Sequence, residues 1–129
     1  MFNVCVKTGA IAALLAVALG AFGAHVLEER ISGHYMDIYR TGVQYHMFHS
    51  AGILLVGALA DKLRSRALTV WAFRLLLAGL VIFSGSLYVI AVTGFDALGA
   101  ITPIGGVSFV AGWLCLALAA GKTKTKEGR

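Results

Sequence analysis

The sequence predicts an all-α membrane protein, a four-transmembrane-helix bundle with a short amphipathic outer segment between helices 1 and 2. Hydrophobic residues make up 59% of the 129 residues and charged residues only 13%, whereas a soluble domain usually carries about a quarter charged residues. Four apolar stretches each approach or exceed the ~20 residues that cross a ~30 Å hydrocarbon core. The basic residues then fall mainly on one side of these four spans.

The apolar stretches set the predicted helix bounds, which are 8–27, 41–60, 67–92 and 101–121. Four spans in a chain of this length leave little room for a separate soluble domain. We therefore expect a single integral membrane domain over residues 1–129, ending in a basic tail at 122–129.

The first stretch could imitate a cleavable signal peptide, because Lys7 is followed by an apolar run and by the small residues Ala21 and Gly23. The apolar run is long for the central region of a signal peptide. Its removal would also leave three spans with opposed charge cues. We therefore expect the first stretch to be kept as a membrane helix.

The segment between the first two stretches has the pattern of a helix. Ile31, Tyr35 and Ile38 recur at helical spacing among charged residues. Ser32 is a residue type that caps helix N-termini. The second helix is therefore predicted to begin near residue 33, at the membrane surface, and to run inward.

The connection before the fourth stretch is short and contains Gly94 and Gly99. Thr102 and Pro103 follow, in the order typical of an N-cap residue and a proline in the first helical turn. Thr102 is therefore predicted to cap the fourth helix.

The basic residues predict the orientation of the chain. Nine of the eleven Lys and Arg residues lie on the side that holds residues 61–66 and 122–129, and only Arg30 and Arg40 lie opposite. By the positive-inside rule this side is cytoplasmic, so we expect both chain ends there. The net charge of +5 thus has a topological explanation. Basic residues interleaved with aromatics on a polar face are missing, so no nucleic-acid partner is expected.

Polar residues concentrate in the outer half of the predicted bundle, while the inner half is mostly Leu, Ala and Val. Polar side chains are costly in lipid unless they face protein or water. One interpretation is a pocket that opens outward and binds a lipid or small molecule, and the other is hydrogen bonding between helices. The candidate ligand-binding residues are Gln44, His46, His49, Ser84, Ser86 and Thr102.

Glycines in the same half are predicted to let helices approach closely. Small residues also form the rows Ala16/Gly20/Ala24 and Ser108/Gly112, which would suit contacts within the chain, in a homo-oligomer or in a larger membrane complex. The glycines assigned to packing are Gly20, Gly23, Gly85, Gly105 and Gly106.

The histidines leave two interpretations open. His49 could carry or sense protons if water reached it, since imidazole titrates near neutral pH, or it could be a neutral structural residue. Haem would need two facing axial histidines, and the only reasonable pair, His25 and His49, differs in estimated depth, so no cofactor is expected. The separated Cys5 and Cys115 suggest neither a disulfide nor a metal site.

Two enzyme classes and one exporter class fit poorly. Proton-coupled export would need a carboxylate inside a span, and none of the acidic residues lies within one. A quinone-linked disulfide oxidoreductase needs paired cysteines. A serine hydrolase would use Ser84 or Ser86 with His49, but no recognised nucleophile motif surrounds these serines. No catalytic residue is assigned.

Four segments, in order along the chain, resemble the domain of unknown function 423 family, which is related to transmembrane protein 256. They are residues 20–25 (GAFGAH), 41–49 (TGVQYHMFH), 83–88 (FSGSLY) and 102–106 (TPIGG). The likeness implies a small four-helix protein of the bacterial cytoplasmic (inner) membrane with its first helix retained, and it implies no activity. Residues 26–29 (VLEE) depart from the glycine and more basic continuation expected there.

We therefore expect a non-enzymatic membrane module, either a lipid-binding or small-molecule-binding bundle or an accessory subunit. Two alternatives stay open at this point. One is a membrane enzyme or redox component that uses His25 or His49, and the other is a homo-oligomeric structural protein.

Overall fold

The computed structural model describes residues 1–121 as five α-helices that form four spans long and apolar enough to cross a membrane. The four-helix fold predicted from the sequence is thereby confirmed. The basic tail predicted at residues 122–129 lies outside the described residues. The helices are α1 Phe2–His25, α2 Gly33–Leu59, α3 Arg66–Gly79, α4 Gly85–Thr93 and α5 Thr102–Ala120.

Helix α1 begins at Phe2 rather than near residue 8. The backbone N–H of Cys5 already donates to the Met1 carbonyl, so the helix is regular from its first turn. Lys7 is exposed, and a long Lys side chain can bury its stem in lipid while its amine reaches the interface. Lys7, which precedes the apolar stretch in the sequence, therefore does not mark the start of the helix.

Helix α2 begins where the sequence predicted, just after Ser32. The Ser32 hydroxyl accepts a hydrogen bond from the Tyr35 backbone N–H at 3.4 Å, which satisfies one of the free donors of the first turn. A short 3₁₀ turn, Leu27–Glu29, joins α1 to this cap.

The predicted capping role of Thr102 is wrong. Helix α5 continues from a 3₁₀ turn, Asp96–Ala100, and its flanking residue is Ile101, without a side-chain cap. The Thr102 hydroxyl instead lies 2.6 Å from the Ser86 hydroxyl on α4. Pro103 does lie in the first turn, where its missing N–H costs no hydrogen bond.

The third span is one continuous helix with a π-helical turn in its middle. Helices α3 and α4 are joined by Leu80–Ser84, where the backbone hydrogen bonds connect residues five apart instead of four. Single π turns interrupt the regular ladder and are frequent at functional sites. Here the turn faces both α2 and α5.

The bundle consists of two antiparallel pairs, α1 with α2 and α3 with α5, and α2 also contacts α4 and the π turn. Glycines allow the closest approaches: a Cβ on Gly57 would lie 2.5 Å from Cys5, and one on Gly112 would lie 2.9 Å from Leu76. Close backbone contact is how helices gain dispersion energy in lipid, where the hydrophobic effect between helices is absent.

The two ends of the bundle differ in charge. We call the end with the connections 26–32 and 94–101 the acidic end, and the end with the N-terminus and the connection 60–65 the basic end. At the acidic end the Tyr35 hydroxyl donates to the Asp96 carboxylate at 3.0 Å, which ties the start of α2 to the connection before α5. At the basic end the Arg64 backbone N–H donates to the Ala119 carbonyl.

Candidate functional site

Three separate cavities contain the predicted histidines and Gln44. His49 lines an aromatic groove of about 650 Å³ between α2 and α5. His46 lines a cavity of about 320 Å³ between α1 and α3. Gln44 is exposed and lines a shallow groove of about 230 Å³ between α1 and α2, together with Arg40 and Glu28. The structure therefore does not bring these three residues into one pocket.

His49 is fully hydrogen-bonded. Its Nδ1 lies 2.8 Å from the Tyr45 carbonyl oxygen, and its Nε2 lies 3.0 Å from the indole Nε1 of Trp113. A carbonyl only accepts and an indole N–H only donates, so Nδ1 carries the proton and Nε2 accepts. This describes a neutral imidazole with no free nitrogen. A proton or a haem iron could reach Nε2 only if the bond from Trp113 were broken.

The groove around His49, which we call the aromatic groove, is lined almost entirely by apolar atoms. The imidazole stacks on Phe109 with ring centroids 3.5 Å apart, and Tyr45 packs against Phe83 at 4.6 Å. Phe48 and Trp113 close the end towards the basic side. The groove has the size and apolar character of a small-molecule pocket, for which 300–1,000 Å³ is typical.

His46 differs from His49 because one of its nitrogens has no partner. Its Nδ1 lies 2.7 Å from the Tyr88 hydroxyl on α4. Its Nε2 is buried and forms no hydrogen bond within the described part of the chain. The residue is only 4% exposed, so this nitrogen is a polar atom left unsatisfied inside the bundle.

The predicted hydroxyl residues connect helices. The Ser84 hydroxyl, in the π turn, donates to the Gly42 carbonyl of α2 at 2.8 Å. Ser86 and Thr102 share a hydrogen bond between α4 and α5. Among the described residues these three side chains therefore serve as contacts between helices, the alternative that the sequence left open. Ligand binding by them stays a prediction.

The predicted packing glycines fall into two groups. A Cβ on Gly23 would lie 2.3 Å from Tyr39, and one on Gly105 would lie 2.5 Å from the backbone nitrogen of Phe83. Gly20 and Gly106 have only ordinary contacts, and Gly85 has no neighbour within 4 Å. The packing role is therefore supported for Gly23 and Gly105 and is wrong for Gly85, which lies on an open face of α4.

The row Ser108/Gly112 is used inside the chain, whereas in the row Ala16/Gly20/Ala24 only Ala16 is buried and Ala24 is exposed. Ala16 is fully buried. The Ser108 hydroxyl donates to the Leu75 carbonyl of α3 at 2.7 Å, and Gly112 packs on Leu76. These contacts account for Ser108 and Gly112 within the chain, and the homo-oligomer stays a prediction.

The aromatic lining of the groove was missed by the sequence reasoning, which followed polar residues. Two signals were present: Tyr45, Phe48 and His49 share one face of α2, and Phe109 and Trp113 are four residues apart on α5. Such patterns are ordinary in membrane helices. Only the tertiary structure brings the side chains of α2 and α5 together, with His49 against Phe109 and Trp113.

No group of three His, Cys, Asp or Glu residues close enough to hold a metal ion occurs in residues 1–121. His25 is exposed at the last position of α1. Its partner in the haem hypothesis, His49, has both nitrogens engaged.

A sequence model described as "Protein of unknown function (DUF423)" matches residues 19–106 of the chain. The chain belongs to this family. It is 52% identical over 120 residues to the UPF0382 membrane protein YwdK of Bacillus subtilis, covering 93% of this chain and 98% of that protein. It is 47% identical to a UPF0382 membrane protein of Staphylococcus epidermidis, covering 91% and 94%. No solved structure matches. The resemblance found in the sequence is thus confirmed, and the protein is a multi-pass membrane protein.

Proposed function

We propose that the protein is a non-enzymatic lipid-binding module whose aromatic groove holds one hydrocarbon chain of a membrane lipid. The observation that carries the proposal is a preformed groove in which the one buried polar side chain, His49, has no hydrogen-bonding capacity left for a ligand. A ligand with polar groups at that depth would leave them unsatisfied, which is costly in lipid. A plain hydrocarbon chain leaves none.

The shape of the groove supports a chain as the occupant. The groove runs along α5 from Pro103 near the acidic end to Trp113, which is about 15 Å at 1.5 Å per residue. One wall is open towards the lipid side, where Val107 and Val110 are 68% and 70% exposed. A lipid could therefore enter sideways with its head group at the acidic end.

The hydrogen bonds of His49 keep the wall of the groove in one conformation before a ligand binds. The Tyr45 carbonyl and the Trp113 indole hold the imidazole from two sides, and Phe109 stacks on its face. A rigid wall loses little conformational freedom when a ligand binds, so more of the contact energy appears as affinity.

The membrane and the orientation are part of the proposal. The family relatives are bacterial membrane proteins by name, and the basic residues Lys62, Arg64 and Arg66 lie at the end that also holds the N-terminus. The positive-inside rule then favours the bacterial cytoplasmic membrane with both chain ends in the cytoplasm and the acidic end outside. Labelling of single cysteines at positions 29 and 62 by an impermeant maleimide in intact cells tests this. Labelling at position 62 alone would show the opposite orientation and contradict the proposal.

The lipid proposal is tested by filling the groove. Val110 lines it, whereas Leu114, one turn further along α5, does not, and both side chains are more than half exposed. Native mass spectrometry of gently solubilised protein should show one retained lipid per chain. Val110→Phe should reduce the retained fraction at least fivefold, and Leu114→Phe should leave it unchanged.

A second measurement locates the chain. Trp71 and Trp113 are the two tryptophans, so Trp71→Phe leaves Trp113 as the reporter inside the groove. Lipids brominated on the chain should quench Trp113 strongly, and Val110→Phe should weaken this quenching while Leu114→Phe should not. If neither variant changed lipid retention or quenching, the groove would not be a lipid site.

A further inference from the structure

The unsatisfied nitrogen of His46 lies in a different part of the bundle from the aromatic groove. The cavity that His46 lines, which we call the His46 cavity, lies between α1 and the third span. Thr8, Ala12 and Leu15 of α1 form one side, and Leu77 of α3 and Leu80 of the π turn form the other. It has a volume of about 320 Å³. Neither its lining nor its helices α1 and α3 contribute to the aromatic groove.

The hydrogen-bonding state of His46 follows from Tyr88. If the Tyr88 hydroxyl donates to Nδ1, the imidazole proton is on Nε2, and a single donor is left without an acceptor. If Nδ1 donates to Tyr88 instead, both the Tyr88 proton and the Nε2 lone pair lack partners among the described residues. The first arrangement leaves fewer unsatisfied groups, so Nε2 is an N–H donor.

The surroundings of Nε2 offer it no satisfactory acceptor. The backbone of Ala12 on α1 approaches the His46 imidazole, but Nε2 has no hydrogen-bond partner among the described residues. The remaining lining is aliphatic apart from Thr8. An unsatisfied buried donor destabilises the folded protein, and a ligand that brought an acceptor to it would recover this energy.

We propose that the His46 cavity is a second binding site, which takes an apolar molecule with a carbonyl oxygen, of the chemical type of a membrane quinone, as the acceptor for His46 Nε2–H. The apolar walls would hold the hydrocarbon part of the molecule. Tyr88 would act as a positioning residue, because its hydrogen bond to Nδ1 keeps the proton on Nε2. The proposal concerns binding and includes no electron transfer.

Depth favours a quinone over an ester lipid. His46 lies six residues beyond Arg40, which is about 9 Å deeper along α2, and the cavity extends further towards Thr8 at the basic side. The ester carbonyls of phospholipids lie near the interface with the head groups. A neutral quinone ring can enter the hydrocarbon core, where this donor lies.

The test uses the full chain in lipid nanodiscs with ¹⁵N-labelled histidine and decylubiquinone as the probe. Titration should shift the Nε2 resonance of His46 saturably and leave both nitrogens of His49 unchanged. Decylbenzene, which has the chain and ring but no carbonyl, should cause no such shift. An equal shift with decylbenzene, or a shift without saturation, would overturn the proposal.

Two substitutions on α1 test the cavity itself. Ile11 lines it and Leu14 does not, and both side chains are more than half exposed to the lipid side. Quinone bound above the level of empty nanodiscs should fall at least tenfold in Ile11→Trp and stay within twofold in Leu14→Trp. Equal binding by the two variants would exclude the cavity.

Substitutions of His46 test the donor. His46→Phe removes it and should weaken binding about fivefold to tenfold, the size expected for one hydrogen bond. His46→Gln keeps an amide N–H near the position of Nε2 and should stay within about threefold of the original. Thermal melting of each variant shows whether the fold is kept. Full binding by a folded His46→Phe, or displacement of the quinone by dioleoylglycerol at equal concentration, would overturn the quinone assignment.

Discussion

Replacing Gly105 by alanine should push α5 away from the third span. The added Cβ would lie 2.5 Å from the backbone nitrogen and 2.8 Å from the Cα of Phe83, in the π turn. Backbone atoms cannot rotate away as a side chain can. An ordinary contact of about 3.4 Å therefore requires a separation of roughly 1 Å between the two helices at this point.

That separation has a calculable cost. Adding about 1 Å to the Ser108–Leu75 hydrogen bond of 2.7 Å and the Ser86–Thr102 hydrogen bond of 2.6 Å takes both beyond hydrogen-bond distance. Hydrogen bonds between membrane helices contribute about 0.6 kcal/mol each. Overpacking of a close contact adds about 1–3 kcal/mol. The free energy of unfolding should therefore fall by about 2–4 kcal/mol.

Gly106 provides the matched control. It is the next residue of the same helix, and its Cβ would lie 3.9 Å from the Phe83 ring, which is ordinary van der Waals contact. Gly106→Ala should leave stability unchanged or raise it by up to about 1 kcal/mol, because alanine favours a helix over glycine. Unfolding in mixed detergent micelles, followed by circular dichroism, measures both variants. A Gly105→Ala variant as stable as the original protein, or an equal loss of stability in both variants, would contradict this prediction.

Two further predictions concern hydrogen bonds at different depths. Trp113→Phe removes the donor to His49 Nε2, so it should lower the free energy of unfolding by about 1 kcal/mol and move the Nε2 ¹⁵N resonance towards that of a free acceptor nitrogen. An unchanged resonance would show that the bond is not formed in solution. Tyr35→Phe removes the bond to Asp96. Asp96 is exposed, Tyr35 is half-buried and the bond itself is exposed to solvent, so the change should stay below about 1 kcal/mol by the same unfolding assay. A larger loss would mean that this contact holds α2 and α5 together.

The sequence alone was informative wherever one residue type and its neighbours along the chain decide the outcome. Four spans follow from apolar length, because lipid requires every backbone group to be satisfied within a helix. The start of α2 follows from Ser32, because a cap bond reaches only three residues along the chain. Thr102 shows the limit of this reasoning, since its hydroxyl had a competing partner, Ser86, on another helix.

The predicted pocket also depended on contacts between helices, which the sequence does not give. Depth along each helix could be counted from the sequence, and this count predicts that the polar residues gather in one half of the bundle. In the structure His46 and His49 lie near the middle of α2. The face that each helix turns towards its neighbours could not be counted, because it depends on how the helices pack. In the third span the π turn at Leu80–Ser84 also changes the rotation of the α4 residues relative to α3. His46 and His49 are three residues apart and still face different cavities.

The sequence by itself therefore determined the number of spans, their approximate ends and the separation of charge between the two ends, because these depend on the contrast between lipid and water along one dimension. Only the tertiary structure decided which nitrogen of which histidine is satisfied. His49 and His46 have the same chemistry, but Trp113 on α5 supplies a partner to one, while α1 presents only the Ala12 backbone to the other. Such hydrogen-bond partners lie on other helices, and packing at glycines such as Gly105 sets how close those helices come to one another.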